Sequence, residues 1–326
     1  MEEKKIIAYK GFDKNLKCRD FQYEVGKEYE MDRDIKCCKR GFHACESPLE
    51  VFDHYDMLTS RFAKVEQSGE IDKEENTTKV CSSRIKVKAE LKLADIINLG
   101  VEWIKDVTSP AKLKKETDLN DNGNNSAQIG SSGDSAQIGS SGYSAQIGSS
   151  GDSAKIGSSG DSAQIGSSGY SAKIGSSGDS AKIGSSGYSA QIGSSGDYAK
   201  IGSSGYSAQI GSSGDSAKIG SSGYSAQIGS SGYSAQIGSS GDYAKIGSSG
   251  DYAKIESTGN HSVVMAAGRD SIAKAKIGSW ITLAEWDCIN GVWIPICVKT
   301  EKVDGERIKA DTFYKLVNGE FKVVEE

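Results

Sequence analysis

The residues best suited to chemistry lie in one stretch, Cys37-Cys38-Lys39-Arg40-Gly41-Phe42-His43-Ala44-Cys45, with Cys18 upstream. Thiols and an imidazole are the side chains of tetrahedral zinc sites, so Cys18, Cys38, His43 and Cys45 form a candidate ligand set. Their spacing matches no standard zinc knuckle, and no second Cys/His pair at ligand spacing follows. Cys45 beside His43 is also the pairing of a thiol nucleophile with its base. The plainer reading makes Cys45 and Phe42 buried packing groups; it takes precedence, so no catalytic residue, metal or cofactor is assigned. His54, inside an apolar stretch, reads as helix surface or packing. The seven cysteines are an odd number, suited to thiols in a reducing cytoplasm rather than to a disulfide scaffold.

A second set of groups recurs with a fixed period. From Ser126 the chain reads Ser-Ala-Gln-Ile-Gly-Ser-Ser-Gly-Asp and begins again, with Ile at every ninth position from 129 to 255. The residue ahead of each Ser-Ala varies. It is Asp at 134, 152, 161, 179, 197, 215, 242 and 251, and Tyr at 143, 170, 188, 206, 224 and 233. If one turn takes eighteen residues, Tyr170, Tyr188, Tyr206 and Tyr224 form one column, and Asp161, Asp179, Asp197 and Asp215 form another on the opposite edge. These eight residues are the candidate binding surface, Tyr because it offers large area at low entropy cost. Three residues on, Lys follows Asp in six of eight cases and Gln follows Tyr in five of six, which reads either as local charge matching or as the mark of a duplicated pair of units. Eight Asp against seven Lys leave the repeat with almost no net field, which disfavours both a phosphate mimic and a basic nucleic-acid track. The calcium-binding β-roll shares the period, but here the acid stands directly after the second Gly, yields to Tyr or Asn in many units and precedes Lys, so no calcium is assigned. Rows of Ser and Gln are of the kind that match ice or a glycan, although arrays of Thr are absent.

These columns need a scaffold, and the period supplies one. Short units that cannot bury their few apolar groups alone do so by stacking, which is the logic of a solenoid. In Ala127-Gln128-Ile129 the Ala and Ile point to one face and Gln to the other, giving a strand of about three residues. Gly130-Ser131-Ser132-Gly133 is expected to form the bend. Strand plus corner is half a flattened coil, so two nonapeptides make one turn, and seven to eight turns spaced about 4.8 Å apart make a rod roughly 35 Å long. A helix is excluded because Gly and Ser fill over half of each unit. Of the 40 glycines in 326 residues, 30 lie between Gly123 and Gly259, so whole-chain averages describe no real part of the molecule. The net charge of −5, the lack of an apolar run of about 18 residues and the charged start lead to the expectation of a cytoplasmic protein with no membrane span.

The expected fold is therefore mainly β: a central solenoid at 126–278, degenerate after 256, between an α+β domain at 1–118 with a linker at 119–125, and a β-rich cap at 279–326. In the first domain strands are expected at Ile6–Tyr9, Phe21–Val25, Phe62–Glu66 and Ser83–Ala89. Ser47 with Pro48 reads as the start of one helix, and Leu93–Asp106 as a second with Ile96, Ile97, Val101 and Ile104 as its apolar stripe. Val263–Gly268 and Ser271–Ala275 look like worn final coils. Strands at Trp280–Glu285, Val292–Val298 and Thr312–Val317 follow, with Asn290-Gly291 and Asn318-Gly319 as hairpin turns. A different, bulkier module at each end is the expected remedy for the open edges of a solenoid.

Tyr9-Lys10-Gly11-Phe12-Asp13, Gly41-Phe42-His43-Ala44-Cys45-Glu46-Ser47-Pro48-Leu49, the short repeats, and Lys309-Ala310-Asp311-Thr312-Phe313-Tyr314-Lys315-Leu316 together resemble an uncharacterised family common in gut bacteria and their phages. The resemblance spans essentially the whole chain and implies a domain of unknown function, variable Gly/Ser-rich repeats, a constant tail and a phage or mobile-element context. It brings no catalytic residues with it. The function expected is a non-enzymatic structural or binding protein, its rod a spacer or a repetitive surface for a protein partner, with self-association through the C-terminal cap. The other classes are an inhibitor of host defence or other host machinery, an ice- or glycan-binding solenoid, and an enzyme seated in residues 1–118.

Overall fold

The computed structural model describes residues 5–31, 34–74, 77–107 and 127–325. It is mainly β and divides into two units, Met1–Trp103 and Ile104–Glu326. The expected linker at 119–125 and the first repeat residue, Ser126, lie outside the described residues.

In the first unit, Ile6, Ala8, Lys10 and Phe12 share one face of the strand Ile6–Phe12 by the period of two, and all are buried. This strand pairs antiparallel with Arg61–Lys73, which pairs with Lys79–Leu91. Phe42–Cys45 lies between Lys79–Leu91 and Ile6–Phe12, so the four strands close into a ring of pairings around Ala8, Phe12, Phe42, Ala44, Val65, Val80, Ile85 and Val87. Two expectations need correction. The helix after Ser47 is only a single 3-10 stretch, Leu49–Asp53, entered from Pro48, while the Ser47 N–H is taken by Thr78 Oγ1 at 3.0 Å. Leu49, Val51 and Phe52 are all buried within those five residues, and just beyond them the Asp56 carboxylate accepts the N–H groups of Leu58 and Thr59 at 3.0 Å, a local turn in place of further helix. The strand at Phe21–Val25 shrinks to Phe21–Gln22, because the Gln22 side chain donates to the carbonyls of Asn15 and Tyr23 at 2.8 and 2.9 Å and folds the segment into a tight hairpin. The helix Leu93–Val107 forms as its periodicity implied; Ile96, Ile97, Val101 and Ile104 are fully buried, and the Asp95 carboxylate accepts the Lys92 N–H.

In the second unit each nonapeptide contributes one four-residue strand, such as Lys155–Ser158, which lies parallel to the strand eighteen residues later with Ile over Ile and Gly over Gly. Alternate strands belong to two different sheets, so two nonapeptides make one coil. Along Ala154 to Asp161, Ala154, Ile156, Ser158 and Gly160 are buried, while Lys155, Gly157, Ser159 and Asp161 face out. The strand thus starts later and runs further than Ala-x-Ile. The first Gly of each unit is a strand residue, not part of the bend, and only the second stands at the corner. No described repeat glycine has a positive φ, so conformational freedom is not the reason for them. At the corner the reason is proximity: a Cβ on Gly196 would lie 2.0 Å from the carbonyl oxygen of Gly178 in the coil beneath.

The recurrence of Lys three residues after Asp, read either as charge matching or as duplication, does not take the form of a local ion pair at Asp152 or Asp242. Among the described residues no ion pair joins Asp152 to Lys155 or Asp242 to Lys245, since the acid stands on the corner and the lysine on the next strand. Opposite charges meet along the stack instead, as Asp251 with Arg269 and Glu256 with Lys274, both at 3.2 Å and both eighteen residues apart. Past the worn coils Val263–Ala266 and Ile272–Lys274, the hairpin Trp280–Ile289/Val292–Lys302 continues one sheet and Tyr314–Val317/Glu320–Val323 continues the other. The turn residues Asn290-Gly291 and Asn318-Gly319 all have positive φ, the geometry of a type I′ hairpin. Glu285 ties the two hairpins together by accepting the N–H groups of Asn318 and Gly319 at 2.6 and 2.8 Å.

Candidate functional site

The corner residues project because the period of two, unbroken from Ala through the second Gly, leaves the next residue pointing out. Tyr170, Tyr188, Tyr206 and Tyr224 stack with centroids 5.0 to 5.1 Å apart and ring planes within 17° of parallel. Each ring remains 41 to 56% exposed, so the column is an open face rather than a core. The sequence reading missed its continuation. At Tyr243 and His261 the aromatic residue sits one place late, in the Ser slot after Asp242 and Asn260, and a positive φ swings it back over the column, with centroid spacings of 5.1 and 5.4 Å. On the opposite edge Tyr233 and Tyr252 stack at 4.9 Å, and the Arg269 guanidinium lies between Tyr252 and Trp293, 4.4 Å from the latter. An aromatic residue where other units carry Ser was the signal available.

Asp161, Asp179, Asp197 and Asp215 do form the other column, but part of it holds the stack together. The Asp215 carboxylate accepts the N–H of Tyr233 at 2.8 Å and Asp251, further along the same edge, that of Arg269, while Asp242 does the same for Asn260 at the end of the tyrosine edge. The flat outer face of the ten-stranded sheet carries a trough of about 1360 Å³, floored by glycines such as Gly175, Gly193 and Gly211 and flanked by Lys173, Gln191 and Gln209.

The four residues weighed as zinc ligands are dispersed among different partners. His43 Nε2 accepts the Cys38 N–H at 3.0 Å, which fixes a neutral ring, and burial with the nearby Lys10 and Lys79 charges lowers its pKa. The Cys38 thiol contacts Glu74 and Lys79. Cys45 is buried and its thiol is pushed up to about 12 by burial, the reverse of an activated nucleophile. Cys18 meets the Tyr55 hydroxyl at 3.0 Å. Among the described residues no group of three His, Cys, Asp or Glu side chains is arranged to hold a metal ion.

What the first unit does build is a cleft around a buried lysine. Lys10 sits at a core position between Ala8 and Phe12 and is only 2% exposed. Its amine donates to the carbonyl of His43 at 3.0 Å and the Tyr55 hydroxyl at 3.3 Å, and lies 5.5 to 5.7 Å from the rings of Phe12, Tyr23 and Tyr55. Burial lowers its pKa, with the Cys18 thiol opposing that shift. Gly11 makes the arrangement fit, since a Cβ there would lie 2.2 Å from the Tyr55 ring. Lys10 and Tyr55 were not singled out from sequence, although the alternation of Ile6, Ala8, Lys10 and Phe12 places the lysine in phase with the core.

A family described as a domain of unknown function (DUF7666) matches residues 6–99. No curated protein and no solved structure matches the chain. Among the described residues no helix is long and apolar enough to cross a membrane.

Proposed function

We propose that the chain is a non-enzymatic binding protein of phage or mobile-element origin, acting in a bacterial cytoplasm. Its solenoid presents the Tyr170-to-Tyr224 column to a protein partner of the host, and inhibition of host machinery is a use the same surface would serve. The observation that carries this reading is the exposed stack itself: parallel rings at 5 Å spacing form a stiff, regular, amphipathic strip, the kind of surface that anchors protein interfaces. The near balance of Asp and Lys in the repeat favours a protein over a nucleic acid. The raised Cys45 thiol and the neutral, engaged His43 favour a binding role over catalysis. Replacing Tyr188 and Tyr206 by Ser is expected to abolish capture of the partner from host lysate while the circular dichroism spectrum stays unchanged; retained capture contradicts the reading.

Self-association through the C-terminal cap belongs to the same proposal. Val292–Lys302 is the edge of its sheet, and Val292, Ile294, Ile296 and Val298 are exposed along it. Pro295 interrupts the ladder of donors, leaving Ile296–Lys302 as the segment able to pair with a second copy. Light scattering is expected to show dimers that Val298→Lys converts to monomers; a wild-type monomer at all concentrations contradicts this part.

A further inference from the structure

The cleft around Lys10 has a chemistry that the solenoid reading leaves unused. Its volume is about 960 Å³, and six cationic side chains line it against three carboxylates, Asp13, Asp20 and Asp56. Two of those acids are engaged by backbone: Asp13 accepts the N–H groups of Asn15 and Lys17, and Asp56 those of Leu58 and Thr59. Lys17, Arg19, Lys39 and Arg40, by contrast, form no side-chain ion pair among the described residues. Lys10 lies deeper, and its contacts are a carbonyl, a hydroxyl and a thiol, with no carboxylate among them. A buried ammonium without a counter-ion is costly, and an anion entering the cleft would offset that cost.

The same cleft offers a ring to stack on. Phe21 lines the cleft, is 41% exposed and makes edge-type contacts with Tyr23, Tyr29 and Phe42 at 4.8 to 5.8 Å. The hairpin that carries it also carries Lys17, Cys18 and Arg19, so cations and a part-exposed aromatic ring reach the cleft on one element. We propose that this cleft binds a nucleotide, its phosphates held by Lys10 and the Arg19 side of the hairpin and its base stacked on Phe21. Anion entry would draw the Lys10 amine fully into its charged form, since an opposite charge nearby counters the lowering caused by burial.

Calorimetric titration of the full chain with ATP, GTP, adenosine and inorganic pyrophosphate tests this. ATP or GTP is expected to bind with Kd below about 100 μM, weakening as salt is raised, and adenosine and pyrophosphate each more weakly. Lys10→Met is expected to abolish binding, but it touches the core; Arg19→Ser and Phe21→Ser, both on the exposed hairpin, keep the test independent of folding. Arg19→Ser should weaken ATP by about five-fold or more, and Phe21→Ser should weaken ATP while leaving pyrophosphate unchanged. No heat from ATP or GTP at about 1 mM, pyrophosphate binding as tightly as ATP, or indifference to both hairpin substitutions would each overturn the proposal.

Discussion

Gly193 and Gly196 differ by three positions and have opposite structural demands. A Cβ on Gly193 meets nothing within 4 Å, because it points out from the strand, whereas one on Gly196 lies 2.0 Å from a backbone oxygen that cannot move without opening the stack. Gly193→Ala is therefore expected to change stability by less than about 1 kcal/mol, and Gly196→Ala to cost about 3 kcal/mol or more, read from urea denaturation of the two variants. Equal effects would mean that the coils do not approach as closely as described. The sequence announced both glycines by period but not their difference. Composition assigns glycine to bends by its backbone freedom, and here neither position uses that freedom. Lys10 was hidden for a similar reason: a lysine in a strand is read as surface, and only the burial of Ile6, Ala8 and Phe12 on either side shows that the face is interior.

At the scale of elements, strands with clean alternation were legible and those set by tertiary contacts were not. The repeat strands, the helix Leu93–Val107 and both Asn-Gly hairpins follow from patterns of two, 3.6 and turn chemistry. Phe42–Cys45 is four residues long and exists because two longer strands hold its edges, which no local pattern announces. The helix expected after Ser47 stops at one short stretch because the Asp56 side chain takes the N–H groups of Leu58 and Thr59 into a local turn. In the cap, the Glu285 carboxylate links the two hairpins by accepting two N–H groups of the Asn318-Gly319 turn, beside the Lys299 amine that donates to the Gly319 carbonyl. Glu285→Ala is expected to cost about 2 kcal/mol and to speed amide exchange across Tyr314–Val323 while the repeat coils stay protected. Uniform protection in the variant would show that the hairpins are docked by other contacts.

At the scale of the molecule, the solenoid has a unit of eighteen residues, not nine, because consecutive strands lie in different sheets. Deleting residues 171–188 should leave a shorter rod that still unfolds cooperatively at nearly the same temperature, since every remaining strand keeps its sheet. Deleting 171–179 moves each later strand to the other sheet, sets Tyr and Asp in the same column and offers the cap the wrong edges, so a fall in melting temperature or loss of cooperativity is expected. The eighteen-residue coil could be read from a strand and corner that make half a turn; the extension of the aromatic column through Tyr243 and His261 was signalled only by an aromatic in the Ser slot, a signal that Tyr198 shares without the positive φ on which the extension depends. The claim that matters most is that this column is what a partner grips. The most direct measurement is quantitative capture from host lysate by the wild-type chain, by Tyr188→Ser/Tyr206→Ser, and by rods shortened by one and two eighteen-residue coils. Capture should vanish in the tyrosine variant and fall stepwise as rings are removed with the coils; capture by the tyrosine variant at the wild-type level would make the rod a spacer and contradict the account.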